Sequence, residues 1–239
     1  HIECSAMGRK YFGDNFDIHG GGKDLVFPHH ENEIAQSCGV SGCSPVRFWV
    51  HNGFVNVDKE KMSKSLGNFF TLRDIYKKFH PEALRLFLIS SHYRSPIDFS
   101  IKNLEDAEKV ILRFYEALNN AGSIVGDYNV SLEEIKNHPF LAKCEKAMND
   151  DFNTAVVVAH LNEESRGINA ECGRIDSGEG DKKNLAVRLA AFKFVGELLG
   201  LLTSSLEKIR QEIFNVKQTE LELDVEKIEC LINDRNEAR

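Results

Sequence analysis

Two lysines three residues apart lie in the short run Lys61–Ser65 (sequence KMSKS), which also contains two serines. These lysines could bind the oxygens of a triphosphate, because lysine meets phosphate as a mobile point charge. Phosphoryl and nucleotidyl transfer depend mainly on positioning and charge stabilisation, so the protein need not supply a covalent step. Two lysines at this spacing also occur in ordinary solvated turns, so the surrounding sequence has to decide between the two interpretations.

A second group of residues could bind a metal ion. Cys4, His29, His30 and Glu33 offer a thiolate, two imidazoles and a carboxylate, all of which are zinc ligands. His29 and Glu33 are four residues apart and therefore share one face of a helix. Each residue alone is more often a packed or capping residue, but the set predicts a zinc site with an open position, which is typical of catalytic zinc.

A glycine-rich run, His19–Leu25 (sequence HGGGKDL), lies between the two metal-binding segments. Glycines after a strand let the backbone approach a ligand closely, and a following carboxylate can bond a ribose hydroxyl. We therefore predict that Gly21 and Asp24 contact a nucleotide. His51 is predicted to border the same pocket, although a plain turn would also explain its neighbours Asn52 and Gly53.

Short strands and helices alternate in the first hundred residues, and they must position these groups. Strand-like runs are predicted at residues 1–4, 16–19, 48–51 and 54–57, with a hairpin turn at Asn52-Gly53. Helices are predicted over residues 28–36, over 72–79 behind a Thr71 cap, and over 81–90 from Pro81. This interleaving predicts an α/β architecture.

Helical periodicity dominates after residue 100. Apolar residues recur at helical spacing over residues 103–118, 140–148, 154–168, 186–202 and 225–232. Polar connectors are predicted at 122–129 and 173–181. The second half is therefore predicted to be a helical bundle.

The composition excludes several classes of protein. The 239 residues are 42% hydrophobic and 28% charged, which is globular and not disordered. No apolar run approaches the ~20 residues that span a bilayer. The net charge of −7 excludes a generally basic nucleic-acid coat but leaves room for a local basic groove. Six scattered cysteines predict a reducing, cytoplasmic location.

The motifs resemble those of a known enzyme family. The run Lys61–Ser65 is similar to the signature loop of class I aminoacyl-tRNA synthetases. Residues 1–7 (HIECSAM) and 27–33 (FPHHENE) resemble the two segments that supply zinc ligands in cysteinyl-tRNA synthetases. By position, the resemblance implies that Cys4, His29 and Glu33 are the ligands and that His30 is their neighbour.

The same resemblance implies a fold and a domain order. We expect the C-terminal part of a class I synthetase Rossmann-like nucleotide-binding domain, followed by an all-α helical bundle. Residues 1–70 would belong to the catalytic domain with the zinc site and lysine loop. Residues 71–120 would form a connecting, stem-contact-like helical region, and residues 121–239 an anticodon-binding-like bundle.

The implied reaction is activation of cysteine with ATP to cysteinyl-adenylate, followed by transfer to tRNA(Cys). Zinc would hold the substrate sulfur, which discriminates against serine better than packing can, because the two amino acids differ by one atom. Lys61 and Lys64 would steady the triphosphate of ATP, with Mg²⁺, and the nucleotide would contact Lys64, Gly21, Asp24 and His51. The expected partners are tRNA(Cys), cysteine and ATP, with no membrane, for a monomer in the cytoplasm.

Two further stretches match the family less decisively. Residues 81–95 resemble the segment where the catalytic domain passes to the helical one, and Arg85, His92 and Arg94 could contact tRNA phosphates there. A structural role explains these residues better, because apolar residues dominate the segment and Arg85 could serve a helix surface. Residues 150–154 (DDFNT) resemble a family motif that capping of the next helix would explain.

Parts of the family pattern are missing from this sequence. The HIGH-type motif, the first zinc cysteine and the family's C-terminal extension are absent. We therefore expect the chain to be a piece of a longer polypeptide that binds zinc weakly by itself and cannot form adenylate at a useful rate.

Two rival functions are compatible with the same core. A cysteine ligase of the mycothiol pathway has similar zinc segments but forms an amide with an amino sugar. A non-catalytic zinc or tRNA-binding module is the other alternative. The long helical bundle favours tRNA over an amino sugar, and the intact motifs favour catalysis.

Overall fold

The computed structural model describes residues 1–57, 60–61, 71–126, 129–221 and 235. Its contacts divide the chain into two units, which we call unit one (residues 1–68 and 91–100) and unit two (69–90 and 101–239). The predicted division at residues 70 and 120 stays a prediction.

Unit one contains a parallel pair of strands, β1 (Phe16–Gly22) and β2 (Val46–Asn52). Parallel neighbours need a crossover connection, and here it contains the helix α2 (Glu31–Ser41). A 3₁₀ turn (Lys23–Leu25) and a π-helical turn (Val26–His30) lead from β1 into α2. Residues 28–30 belong to the π-helical turn, so α2 begins at Glu31, later than the sequence predicts.

The helix α1 (Ile2–Phe12) corrects the prediction that the chain opens with a strand. Glu3 lies in its first turn and Arg9 and Lys10 in its last, so both ends complement the helix dipole. These charges outweigh the β-propensity of a single isoleucine. The Ser5 hydroxyl donates a 2.8 Å hydrogen bond to Gln36 Oε1 and so joins α1 to α2.

A second small sheet in unit one has the order β4-β3-β5, from β3 (Val55–Val57), β4 (Glu60–Lys61) and β5 (Ile97–Phe99). β3 pairs antiparallel with β4 and parallel with β5. The predicted hairpin at Asn52-Gly53 is therefore wrong, because β2 and β3 belong to different sheets. A hairpin turn would place Gly53 toward solvent. Gly53 instead contacts the backbone of Ser95.

Unit two is helical, as the apolar periodicity predicts. Its helices are α3 (Leu72–Tyr76), α4 (Pro81–Ile89), α5 (Ile101–Val125), α6 (Leu132–Lys136), α7 (Pro139–Asn149), α8 (Thr154–Asp176), α9 (Lys182–Leu198) and α10 (Leu206–Leu221). The Thr71 cap is confirmed, with a reciprocal capping box to Asp74. The helix predicted over residues 225–232 lies outside the described residues. Within the described part of the chain, no helix is long and apolar enough to cross a membrane.

The core of unit two lies along α5, whose apolar stripe meets α4, α8 and α9. Phe114 of α5 meets Phe192 of α9 edge to face, with ring centroids 5.4 Å apart. The largest fully buried side chains on this core are Leu86, Leu104, Ile111, Phe114, Tyr115, Leu161, Ile168, Leu185, Phe192, Leu201, Leu202 and Ile209.

One buried carboxylate joins three parts of unit two. Glu82 of α4 is 7% exposed and accepts hydrogen bonds from the Tyr115 hydroxyl, the Leu202 amide and the Thr203 hydroxyl, each at 2.9 Å. The Tyr115 oxygen in turn accepts from the Ser204 amide at 3.0 Å. The turn before α10 is therefore held against α4 and α5 through a fully satisfied carboxylate.

Replacing Glu82 with alanine should destabilise the protein by about 2–3 kcal/mol, because Tyr115 and the Leu202 amide lose a charged acceptor in a buried place. Chemical denaturation measures this change. The matched variant Glu145→Ala, on the exposed surface of α7, should stay within about 0.5 kcal/mol of the parent. Equal effects of the two substitutions would contradict the assignment.

Candidate metal and nucleotide site

A cleft in unit one lies between the helices α1 and α2 and the β1–β2 sheet. Its lining includes Cys4 and Gly8 from α1, His19 from β1, Glu33 from α2 and Trp49 from β2. These residues are far apart in the sequence, and the parallel pairing of β1 with β2 brings them together.

The three predicted metal ligands lie close together, and two of them, Cys4 and Glu33, line this cleft. One ligand atom each from Cys4, His29 and Glu33 lies within 4.8 Å of the others. His29 lies in the turn before α2 and Glu33 lies in the first turn of that helix, so the four-residue spacing does align them. The thiol arrives from α1, a helix that the sequence pattern had predicted as a strand.

Glu33 is the buried centre of this group, with 3% of its surface exposed. Its Oε1 atom lies 2.6 Å from His29 Nε2 but makes no hydrogen bond with it. A buried carboxylate oxygen without a hydrogen-bond partner is costly, so this atom has unused capacity for a cation. A sulfur, nitrogen and oxygen donor set suits zinc.

A second donor set overlaps the first. His19, His30 and Glu33 also offer atoms within 4.8 Å of one another, and His19 Nε2 is 3.6 Å from Glu33 Oε2. Glu33 is thus common to both sets. The sequence pattern placed His30 beside the ligands but did not identify His19 as a possible donor.

His30 is buried and neutral at physiological pH. Burial, assisted by the neighbouring imidazoles of His19, His51 and His29, lowers its pKa to about 4. Its Nδ1 shares a 2.8 Å hydrogen bond with His51 Nε2, and its ring lies 4.8 Å from that of Trp49. The imidazoles therefore form a packed wall beside the carboxylate.

Two of the predicted nucleotide-binding residues are paired on neighbouring strands. Gly21 of β1 pairs with His51 of β2, near the carboxyl ends of both strands. Ligands bind at that edge of parallel sheets. A methyl group at Gly21 would lie 2.7 Å from His30 Cε1, so only glycine fits there. Asp24 is exposed on the 3₁₀ turn that follows β1.

The predicted lysine loop is only partly described. Lys61 ends β4, where its backbone pairs with Asn56 of β3. Lys64 lies outside the described residues.

Sequence reasoning missed the roles of His19 and Trp49 in the cleft wall. Their rings stack with centroids 4.8 Å apart because β1 and β2 are in register there. The run HGGG already marks His19 as the residue before a nucleotide turn. Nothing local to either residue shows that the two strands pair.

Comparison with known proteins finds similarity to one kind of enzyme. A family model described as the class I (C) tRNA synthetase catalytic domain matches residues 1–109, and a DALR domain model matches residues 143–203. Curated relatives named cysteine–tRNA ligase match the whole chain, with 43% identity in Pelobacter propionicus and 46% in Geobacter sulfurreducens. The chain is thus similar over its whole length to cysteine–tRNA ligases. It spans about half the length of these relatives, 52% and 50% respectively.

Solved structures support the fold assignment. A leucyl-tRNA synthetase from Agrobacterium radiobacter aligns with a TM-score of 0.59 at 17% identity, over 84% of this chain and 26% of its own. A methionyl-tRNA synthetase from Mycobacterium tuberculosis aligns with a TM-score of 0.55 at 15% identity, over 84% and 44%. The predicted fold class, a Rossmann-like piece followed by a helical domain, is confirmed.

Gly21→Ala should destabilise the chain by about 1–3 kcal/mol, because the new methyl group displaces the His30 ring from its bond with His51. Thermal or urea unfolding reports this change. The neighbouring substitution Gly20→Ala is the control, since the nearest atom to its methyl group is 3.8 Å away. If the two variants are equally stable, the steric account of Gly21 fails.

Proposed function

We propose that this chain supplies the cysteine-selecting and ATP-binding part of a cysteine–tRNA ligase. The full reaction joins cysteine and ATP into cysteinyl-adenylate with release of pyrophosphate, and then transfers cysteine to tRNA(Cys). The close approach of one ligand atom each from Cys4, His29 and Glu33 is the observation that carries the proposal. The relatives that match over the whole chain favour tRNA over an amino sugar as the acceptor.

Cys4, His29 and Glu33 would hold the zinc ion. When bound, zinc supplies a borderline-soft acceptor for the sulfur of cysteine, and serine has no equivalent atom. The chain's own contribution is to orient the ligands. The Nδ1 atoms of His1 and His29 share a 2.9 Å hydrogen bond, which leaves His29 Nε2 directed at Glu33.

The cleft wall would exclude water from the amino acid. Trp49, His19 and His30 pack ring against ring on the side of Glu33 that faces the sheet. A dry wall strengthens each polar contact with the substrate. The half-buried thiol of Cys4 is supplied by α1.

The nucleotide would lie at the carboxyl ends of β1 and β2. Gly21 allows the backbone to approach the adenosine, Asp24 is available to a ribose hydroxyl, and His51 borders the base or sugar. Lys61 and Lys64 would hold the triphosphate, with Mg²⁺ neutralising its remaining charge.

The helical unit two would contact tRNA. Its sequence carries most of the negative charge, so the contact would follow a narrow basic strip and not a broad basic face. The cysteines in the described part of the chain are free thiols: Cys4, Cys38, Cys43, Cys144 and Cys172. Free thiols agree with a cytoplasmic location. We expect a monomer.

The direct test is ATP–pyrophosphate exchange in a polypeptide of the relatives' length that carries this sequence. Exchange should depend on cysteine and not on serine, and the product should charge tRNA(Cys). The 239-residue chain alone should show no useful exchange. A full-length polypeptide that lacks cysteine-dependent exchange would overturn the proposal.

Removing a zinc ligand should empty the site. Cys4→Ala and His29→Ala should weaken zinc binding by at least about 10- to 100-fold, since changes to outer-shell partners alone reach that range. Zinc content per chain, measured after dialysis against a competing chelator, gives the result. Cys38→Ala, which alters a half-buried thiol at the far end of α2, should keep the zinc of the parent.

Lys61→Ala should reduce the rate constant of exchange by about 10²-fold, because a positive charge that meets the transition state is lost. Steady-state kinetics with varied ATP would measure it. Lys77→Ala is the control, because that exposed lysine pairs with Asp74 in unit two. Equal losses in the two variants would mean that Lys61 has no special role.

A further inference from the structure

The segment 91–100 belongs to unit one although 22 residues of unit two, 69–90, precede it in the chain. It ends in β5, which pairs in parallel with β3: Val55 with Ile97, Asn56 with Asp98 and Val57 with Phe99. β3 therefore lies between β5 on one side and β4, which ends at Lys61, on the other.

The strands of this sheet are too short to fix their own position. β4 has two residues and β3 has three, and isolated short pairings of this kind are marginal in water. Asn56 of β3 pairs with Lys61 on one side and with Asp98 on the other. Val57 and Phe99, opposite each other, are 7% and 4% exposed and form the buried contact of the sheet.

The pairing continues beyond β3 toward the chain that leaves β2. The Ile97 amide donates a 2.8 Å hydrogen bond to the Phe54 carbonyl, and the Gly53 amide donates a 2.7 Å bond to the Tyr93 carbonyl. A methyl group on Gly53 would overlap the carbonyl of Ser95 and lie 2.8 Å from the Pro96 nitrogen. The two backbones thus meet at a distance that only glycine permits.

We propose that Gly53 and β5 are positioning elements for Lys61. They hold β3, and through it the backbone of Lys61, where the lysine charge meets the triphosphate. This assigns a role in the reaction to the stretch Tyr93–Phe99. From the sequence alone, the first residues of that stretch could contact tRNA or have a structural role. The inference rests on the proposed function, because it requires ATP to bind beside Lys61.

The mechanism is geometric. A displacement of about 1 Å at a charge that acts in the transition state can cost up to about 10²-fold in rate. A methyl group at Gly53 must push β5 or β3 aside, because both of its nearest neighbours are backbone atoms. The metal ligands lie on α1, α2 and the turn before α2, outside this sheet, so the displacement should spare them.

The test compares Gly53→Ala with Gly39→Ala in the full-length polypeptide. A methyl group at Gly39 on α2 meets no atom within 4 Å, so that variant should match the parent. For Gly53→Ala we expect the kcat of ATP–pyrophosphate exchange to fall by about 10- to 100-fold. The KM for cysteine and the zinc content should stay within about twofold of the parent, because cysteine binding is separate from the triphosphate contact.

A second variant covers the case in which Gly53→Ala does not fold. Ile97→Gly loosens β5 without inserting an atom, and it should lower kcat in the same selective way by about 3- to 10-fold, as expected for a weakened strand. Equal rates in the parent and both variants would overturn the positioning role. A parallel loss of zinc, cysteine affinity and kcat would also overturn it, by showing a general structural defect. A parent without cysteine-dependent exchange would refute the proposed function itself, which is a separate outcome.

Discussion

The buried carboxylate of Glu33 is the constraint on which unit one depends. It is almost fully removed from water, and one of its oxygens has no hydrogen bond. Burying an ionised carboxylate is costly unless charges or donors surround it. The structure surrounds it with His29 from the adjacent turn, His19 from β1 and the thiol of Cys4 from α1. The crossover from β1 to α2 and the packing of α1 against α2 bring these three groups close to the carboxylate.

Unit two also contains a buried carboxylate, but this one is hydrogen-bonded within the protein. Glu82 receives hydrogen bonds from Tyr115, Leu202 and Thr203, so its charge is satisfied within the protein. Glu82 therefore stabilises a turn, whereas Glu33 retains capacity for a further partner. An oxygen without a hydrogen bond, close to an imidazole and a thiol, is a property of Glu33 that Glu82 does not share.

Local signals in the sequence predicted a large part of this arrangement. The spacing of His29 and Glu33, the Thr71 cap and the apolar periods of unit two are all properties of neighbouring residues, and each matches the structure. The failures concern contacts between distant residues. The run at Asn52-Gly53 has the composition of a hairpin, but its geometry is set by Ser95, more than forty residues later. The pairing that brings His19 to Trp49 depends on strand register, which no single strand encodes.

The difference between local signals and contacts of distant residues also explains why the sequence pattern predicts a strand where the structure has α1. Its residues have no strong apolar period, and none of them is buried, so tertiary contact with α2 and the charges at its ends decide its form. The candidate metal ligands are easier to recognise in the sequence than the fold around them, because ligand types and spacing are visible in short segments. The positions of those segments relative to each other required the structure.

The central claim is that Cys4, His29 and Glu33 hold a metal ion that recognises cysteine by its sulfur. The most direct measurement replaces zinc with cobalt in the full-length polypeptide and follows the thiolate-to-cobalt absorption during titration with cysteine and with serine. Our account predicts that cysteine strengthens this absorption to a stoichiometric end point and that serine leaves it unchanged. A spectrum that does not respond to cysteine, or responds equally to serine, would contradict it.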